Sequence, residues 1–273
     1  MTATDRFLDV TSLDEPRLGP YRNLRDRDLA NSEVFLAESE VVLRVLIERA
    51  THPLRSVLLS RPRAEKLAAL LAHVPAEVPI FVAEQPVIDA IAGFHLHRGV
   101  MACAARTPLA DSAALLAGLP PGPATVVVLE GLTNHDNVGA IFRNAAALGA
   151  SAILLDAATC DPLYRKAIRV SVGACLVVPY ARDTRVADAV LSLKTHGFHV
   201  MALTPNEPAR DIEEFRRERP ERIALLLGSE GPGLEDATLA LADDRVRIRQ
   251  RAGFDSLNVA TSCGVALHEL GQR

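Results

Sequence analysis

Three short segments place polar residues where the surrounding chain is apolar, and their residue types could hold a small ligand. The first runs from Glu130 to Ala146 and carries Asn137, Gly139 and Arg143 on a stretch of small residues. Asp136 or Asn137 is a natural helix N-cap there, and Arg143 lies about one and a half turns further on. The second is Leu227-Gly228-Ser229-Glu230-Gly231-Pro232-Gly233-Leu234. It lacks the Lys-Ser/Thr of a phosphate loop, and Glu230 would repel phosphate. A carboxylate among glycines suits a cation, a hydroxyl or an amine. The third leaves the apolar strand around Ile248 and reaches Ser256-Leu257-Asn258 at a helix start. Backbone N–H groups at a helix start, with an amide side chain beside them, can face a small ligand.

Each segment also has a bland reading. The first is a capped helix with an arginine extending to water, and the second is a turn. In the third, Arg245, Arg247 and Arg249 share one strand face, either as an exposed edge charged against aggregation or as a phosphate-facing stripe. Ser256 and Asn258 could each cap the last helix.

The elements that must position these segments follow from periodicity. After residue 124, strands at Thr125–Leu129, Ala152–Leu155, Leu176–Pro179, His199–Leu203, Ile223–Leu227 and Arg245–Ile248 alternate with helices, the last at Ser256–Leu270. Such alternation predicts a parallel sheet flanked by helices, with ligands beyond the carboxyl ends of its strands. All three segments fall there. The Pro-rich stretch at 108–123 reads as a linker between domain 124–273 and a smaller α/β domain at 30–107. In the smaller domain Val34 to Glu48 has helical spacing, and charged residues 1–29 read as an N-terminal arm.

Composition narrows the function classes. The chain has 273 residues, 49% hydrophobic but only 4% aromatic and without Trp, so Ala, Val and Leu must fill the core. The net charge of −4 argues against non-specific coating of nucleic acid. Local basic clusters stand at Arg17, Arg22, Arg25 and Arg27, at Arg61, Arg63 and Lys66, and at Arg165, Lys166 and Arg169. Each reads first as surface charge balanced by nearby acids. Cys103, Cys160, Cys175 and Cys263 have no paired short spacing, which disfavours a zinc or CxxC site and suits a reducing cytoplasm. His95 and His97 lack a third ligand nearby, so no metal is expected. No secretory signal or membrane span is expected either.

Together the segments resemble the three motifs of the SpoU/TrmH family of RNA ribose 2′-O-methyltransferases, in the SPOUT superfamily. The matching residues are Asn137-x-Gly139-Ala140-Ile141-x-Arg143-x-Ala145, then Leu227-Gly228-Ser229-Glu230-Gly231-x-Gly233-Leu234, then Ser256-Leu257-Asn258-Val259. The resemblance covers residues 125–273. Phe35 to Val42 and Gly93 to Val100 look more loosely like the small RNA-binding domain that often precedes it.

The resemblance implies a deep trefoil knot, a homodimer and bound S-adenosylmethionine. It implies that Arg143 is catalytic, supported by Asn137, Glu230, Ser256 and Asn258. It places the cofactor around Leu203, Thr204, Gly228, Ser229, Glu230, Gly233, Ile248, Leu257 and Asn258. The chain departs from the family's Ile-Pro-Met at Ile248-Arg249-Gln250 and from its usual Ser at Ala260. It also has Ala252 where a glycine is expected, with Gly253 next. The expected substrate is structured RNA, ribosomal before transfer RNA. The alternatives are an RNA-binding protein that has lost catalysis on this scaffold and a nucleotide-binding oxidoreductase. The oxidoreductase ranks low because no GxGxxG follows the first strand.

Overall fold

The computed structural model describes residues 6–12, 14–22, 32–49, 51–93, 99–251 and 257–271. The chain divides into two compact units, residues 1–107 with 163–177, and residues 108–162 with 178–273.

The first unit is built on a five-stranded sheet of β1 (Phe7–Asp9), β2 (Val34–Glu38), β3 (Leu54–Ser60), β4 (Ile80–Ala83) and β5 (Val100–Ala105), in the order β1-β4-β3-β5-β2. β1, β4 and β3 are parallel, while β5 is antiparallel to both β3 and β2. The described part of residues 1–29, 6–12 and 14–22, is not simply an arm. Phe7–Asp9 is an edge strand, and Leu18 and Tyr21 on a short 3-10 helix are fully buried. The Tyr21 hydroxyl lies 2.7 Å from Ser56 Oγ, so its polar end is satisfied inside the core.

Val34 to Glu48 is not one helix. Val34–Glu38 forms a strand against β5, and the helix Glu40–Arg49 begins only after Ser39, whose backbone is left-handed (φ 93°). All but the first residue of β2 are buried, a demand no single helix face could meet. The basic clusters find acids. Arg61 pairs with Asp9 and Glu84, and Arg63 and Lys66 with Glu40. Arg17 pairs with Glu15, while Arg25 and Arg27 lie outside the described residues. Arg165 and Arg169 approach the Glu38 carboxylate at 2.9 and 3.6 Å. That carboxylate is nearly buried on β2 and needs compensating charge, which segment 163–177 supplies.

The second unit holds a seven-stranded, wholly parallel sheet. Its strands are β6 (Ala124–Leu129), β7 (Ala152–Leu155), β8 (Tyr180–Arg182), β9 (His199–Leu203), β10 (Arg210–Asp211), β11 (Arg222–Leu227) and β12 (Asp244–Arg247). Their order is β10-β12-β9-β11-β6-β7-β8. β6, β7 and β11 are near-continuous apolar runs because helices cover both faces of a parallel sheet. The strand expected at Leu176–Pro179 starts later, at Tyr180. Residues 174–176 instead form a 3-10 turn after Gly173, and Tyr180 is the residue in register with Ile153. The linker region also contains a helix, Ser112–Ala117, capped by the Asp111 side chain on Ala114 N–H.

Candidate active site

The adjacent strands β12, β9 and β11 end at one edge of the sheet, and beyond their carboxyl ends lies a cavity of about 550 Å³. Leu203, Thr204, Pro205 and Asn206 line it after β9, and Leu227 through Leu234 after β11. Ile248 and Gln250 line it after β12, with Leu257, Asn258, Val259 and Ser262 at the closing helix Val259–Gly271. The wall mixes apolar side chains with polar groups, and the volume is in the usual range for a small-molecule site.

The first segment forms the helix His135–Leu148. Its N-cap is Asn134, whose side chain accepts from Asp136 N–H at 2.9 Å, and not Asp136 or Asn137. The helix therefore starts three residues earlier than an Asn137 cap would start it. Asn137, with Asn134 doing the capping, sits buried in the first turn, its side chain free for another partner.

That partner is Asn258. Its Nδ2 donates to Asn137 Oδ1 at 2.9 Å and to Glu230 Oε1 at 2.8 Å. Its Oδ1 accepts from Ala260 N–H at 3.0 Å and Thr261 N–H at 3.2 Å, which caps the closing helix. One amide thus joins all three polar segments and uses both its donor and acceptor faces. The two helices are further bound by Asn144, whose Nδ2 donates to Ala260 C=O at 2.7 Å. A side chain at Gly264 would press on that Asn144 amide.

The second segment is a tight loop. Ser229 and Gly233 form an isolated bridge, with Gly233 N–H donating to Ser229 C=O at 3.1 Å. Gly231 and Gly233 have positive φ, 92° and 77°. At Gly228 a Cβ would fall inside the backbone of Gly233 and Leu234, so only glycine fits. Glu130, at the end of β6, anchors the loop from beneath. Its carboxylate accepts from Glu235 N–H at 2.9 Å and from Thr238 Oγ1 at 2.5 Å. Burial is the largest influence on Glu130 and holds its carboxyl above the ordinary range, against those hydrogen bonds.

Sequence reasoning gave no role to Glu130, Asn206 or Gln250. The signal available was position alone, since Glu130 directly follows β6 and Asn206 and Gln250 stand three residues beyond β9 and β12.

The remaining expected residues fall out as follows. Leu203, Thr204, Gly228, Ser229, Glu230, Gly233, Ile248, Leu257 and Asn258 all line the cavity. Arg143 does not. It stands exposed, one residue round the helix from Asn144, with no partner among the described residues. Ser256, with residues 252–255, lies outside the described residues, as do His95 and His97. Among the described residues no cluster of His, Cys, Asp or Glu could hold a metal ion. The strand that carries the arginine stripe is not a free edge, and two of its three arginines are taken by acids. β12 lies between β9 and β10, and both Arg247 and Arg249 contact Asp211.

Residues 124–268 match the model of the SpoU rRNA methylase family. An uncharacterized tRNA/rRNA methyltransferase of Mycobacterium tuberculosis is 42% identical over 267 residues, 96% of this chain and 90% of that protein. A 23S rRNA (guanosine-2′-O-)-methyltransferase of Ralstonia nicotianae is 33% identical over 73% of this chain and 79% of its own length. Among solved structures, an AdoMet-bound rRNA methyltransferase from Sinorhizobium meliloti superposes with a TM-score of 0.81 at 25% identity, covering 97% of each chain. With the second and third motif segments lining one cavity, the first joined to them through Asn137 and Asn258, and relatives of this kind over nearly the whole chain, the protein belongs to the SpoU rRNA methylase family.

Proposed function

We propose that this protein transfers the methyl group of S-adenosylmethionine to a ribose 2′-hydroxyl of ribosomal RNA. The observation that carries the reading is the Asn258 amide, which binds Asn137 and Glu230 together at the rim of the cavity. The cavity suits the cofactor. Leu203, Ile248 and Leu257 offer an apolar slot for a flat base, and Thr204, Asn206 and Gln250 offer hydrogen bonds at its sides. Gly228 lets the loop that lines the cavity close on itself, because a Cβ there would meet the Gly233–Leu234 backbone.

When bound, S-adenosylmethionine supplies a methyl group made electrophilic by the positive sulfonium. The protein must align the ribose oxygen with that methyl, and positioning alone can contribute several kcal/mol. The hydroxyl is a weak acid that gives up its proton as it attacks. Arg143 is a poor base, because guanidinium stays protonated at any usable pH. We assign it instead to the phosphate beside the target ribose and to the developing alkoxide. It is exposed and has no partner among the described residues, which leaves its donors available to incoming RNA. Asn137, Glu230 and Asn258 keep the loop and the two helices in register around the reacting groups.

Ribosomal RNA is placed before transfer RNA because the 23S enzymes among the relatives act on it by name. A cytoplasmic homodimer is part of the same proposal, and sedimentation velocity tests the assembly. Among the described residues no helix is long and apolar enough to cross a membrane. The decisive experiment maps ribose methylation in ribosomal and transfer RNA from a deletion strain. Single-turnover rates of Arg143→Ala and Arg143→Lys accompany it. Loss of one ribosomal 2′-O-methyl is expected, with Arg143→Ala slowed at least a hundredfold and Arg143→Lys partly active. Near-normal turnover by Arg143→Ala removes both roles from that residue.

A further inference from the structure

Two segments that line the cavity leave adjacent strands, and among the described residues the backbone pairing between them beyond the strand ends stops at Thr204, whose N–H donates to the Val246 carbonyl at 2.9 Å. Thr204-Pro205-Asn206 follows β9, and Ile248 and Gln250 follow β12. Around them runs a chain of four charged side chains. Glu207, next to Asn206, takes Arg247 through one carboxylate oxygen and Ala209 N–H through the other, the latter at 3.2 Å. Arg247 Nε also donates to Asp211 Oδ1 at 2.8 Å, and Asp211 stands beside Arg247 in the β10–β12 register. The second Asp211 oxygen takes Arg249, which sits between the lining residues Ile248 and Gln250. Two acids and two bases balance, and Asp211, the centre of the chain, is only 9% exposed.

We propose that Asp211 is a positioning residue for the cofactor, its carboxylate holding Arg247 and Arg249 of the β12 lip while Arg247 reaches Glu207 of the β9 lip, so that the two lips are stapled together. The inference rests on the cavity being the S-adenosylmethionine site. Asp211 touches no part of the cavity, so its effect passes through Ile248, Gln250 and the Thr204–Asn206 turn. The simpler alternative is that these pairs only pin β10 at the edge of the sheet. Pinning would show in stability and leave ligand affinity alone. A staple shows in affinity, because each unfastened lip must be ordered when the ligand binds. An exposed ion pair is screened by salt, so the staple also makes affinity fall with ionic strength.

The test is calorimetric titration of S-adenosylmethionine into the full-length wild type, Asp211→Asn, Arg249→Ala and Arg249→Lys at low and high salt. Hydrogen exchange is followed at residues 204–209 and 248–251 in the free proteins. Asp211→Asn should weaken binding roughly tenfold and Arg249→Ala roughly threefold, as expected for two and one such contacts. Arg249→Lys should recover most of the loss. Exchange should rise in both lips in Asp211→Asn, and the salt dependence of Kd should flatten. Wild-type affinity in Asp211→Asn, whatever its melting temperature, overturns the inference and leaves the cofactor site standing. A wild-type chain that binds no S-adenosylmethionine overturns both.

Discussion

Asn258 is asked to do two things at once, and the two can be separated by one atom. Its Oδ1 caps the Val259–Gly271 helix through Ala260 and Thr261 N–H, while its Nδ2 bridges Asn137 and Glu230. Asn258→Asp keeps the cap, since a carboxylate accepts from the same two N–H groups and complements the helix dipole. It converts the bridging donor into an acceptor facing two acceptors. The lost bond to the Glu230 carboxylate is worth about 1.5 kcal/mol, at the low end for a charged partner because Glu230 is exposed. Repulsion between carboxylates at this separation adds about 1 to 1.5 kcal/mol in water-like surroundings. The total, about 2.5 to 3 kcal/mol, corresponds to roughly a hundredfold loss of affinity if the loop must be returned to its place for binding. Asn258→Ala loses about 1 kcal/mol of capping, but water can replace the bridge without repulsion. The aspartate variant should therefore melt close to wild type and bind S-adenosylmethionine worst. The alanine variant should melt lower and bind only several-fold worse. Calorimetric titration with thermal melts of both variants gives the ranking. If Asn258→Asp binds like wild type, or better than Asn258→Ala, the bridge has no part in shaping the site.

Other outcomes follow from the same structure. Gly228→Ala forces a methyl into the Gly233–Leu234 backbone, at a cost of about 1–3 kcal/mol. It should leave circular dichroism unchanged and abolish measurable cofactor binding, and tight binding would show that the loop closes differently. His52 is buried edge-on to Phe35, ring centroids 5.0 Å apart, and burial chiefly lowers its pKa below the ordinary 6.5. The unfolded chain then binds the proton first as pH falls. Its contribution to stability is present above pH 6.5 and is lost as pH drops through the folded value. Chemical denaturation between pH 7.5 and 5 should fall more steeply for wild type than for His52→Gln, and parallel curves would contradict this.

What the sequence made legible is the part of the molecule governed by local rules. β6 and β11 read as buried strands because Thr125–Leu129 and Ile223–Leu227 are apolar without interruption, and such runs belong to parallel sheets. The boundaries failed where two periods fit the same residues. Val34, Leu36, Val41 and Val42 satisfy a helix as written, and only the left-handed turn at Ser39 divides strand from helix. β10 has two residues and carries no periodic signal at all.

The side-chain types at the site were visible, but their pairings were not. Asn134, Asp136 and Asn137 are all competent caps, and the one that takes the role decides whether Asn137 is free to meet Asn258. The stripe of Arg245, Arg247 and Arg249 reads as a phosphate surface until Glu207 and Asp211 are placed beside it, some 36 to 40 residues earlier in the chain. Glu130 meets Thr238 across 108 residues. A family motif specifies which groups are present. Whether a given arginine faces RNA or an internal carboxylate is settled by strand order, here by β12 lying between β9 and β10. Arg143, on the helix His135–Leu148, is exposed and has no partner among the described residues.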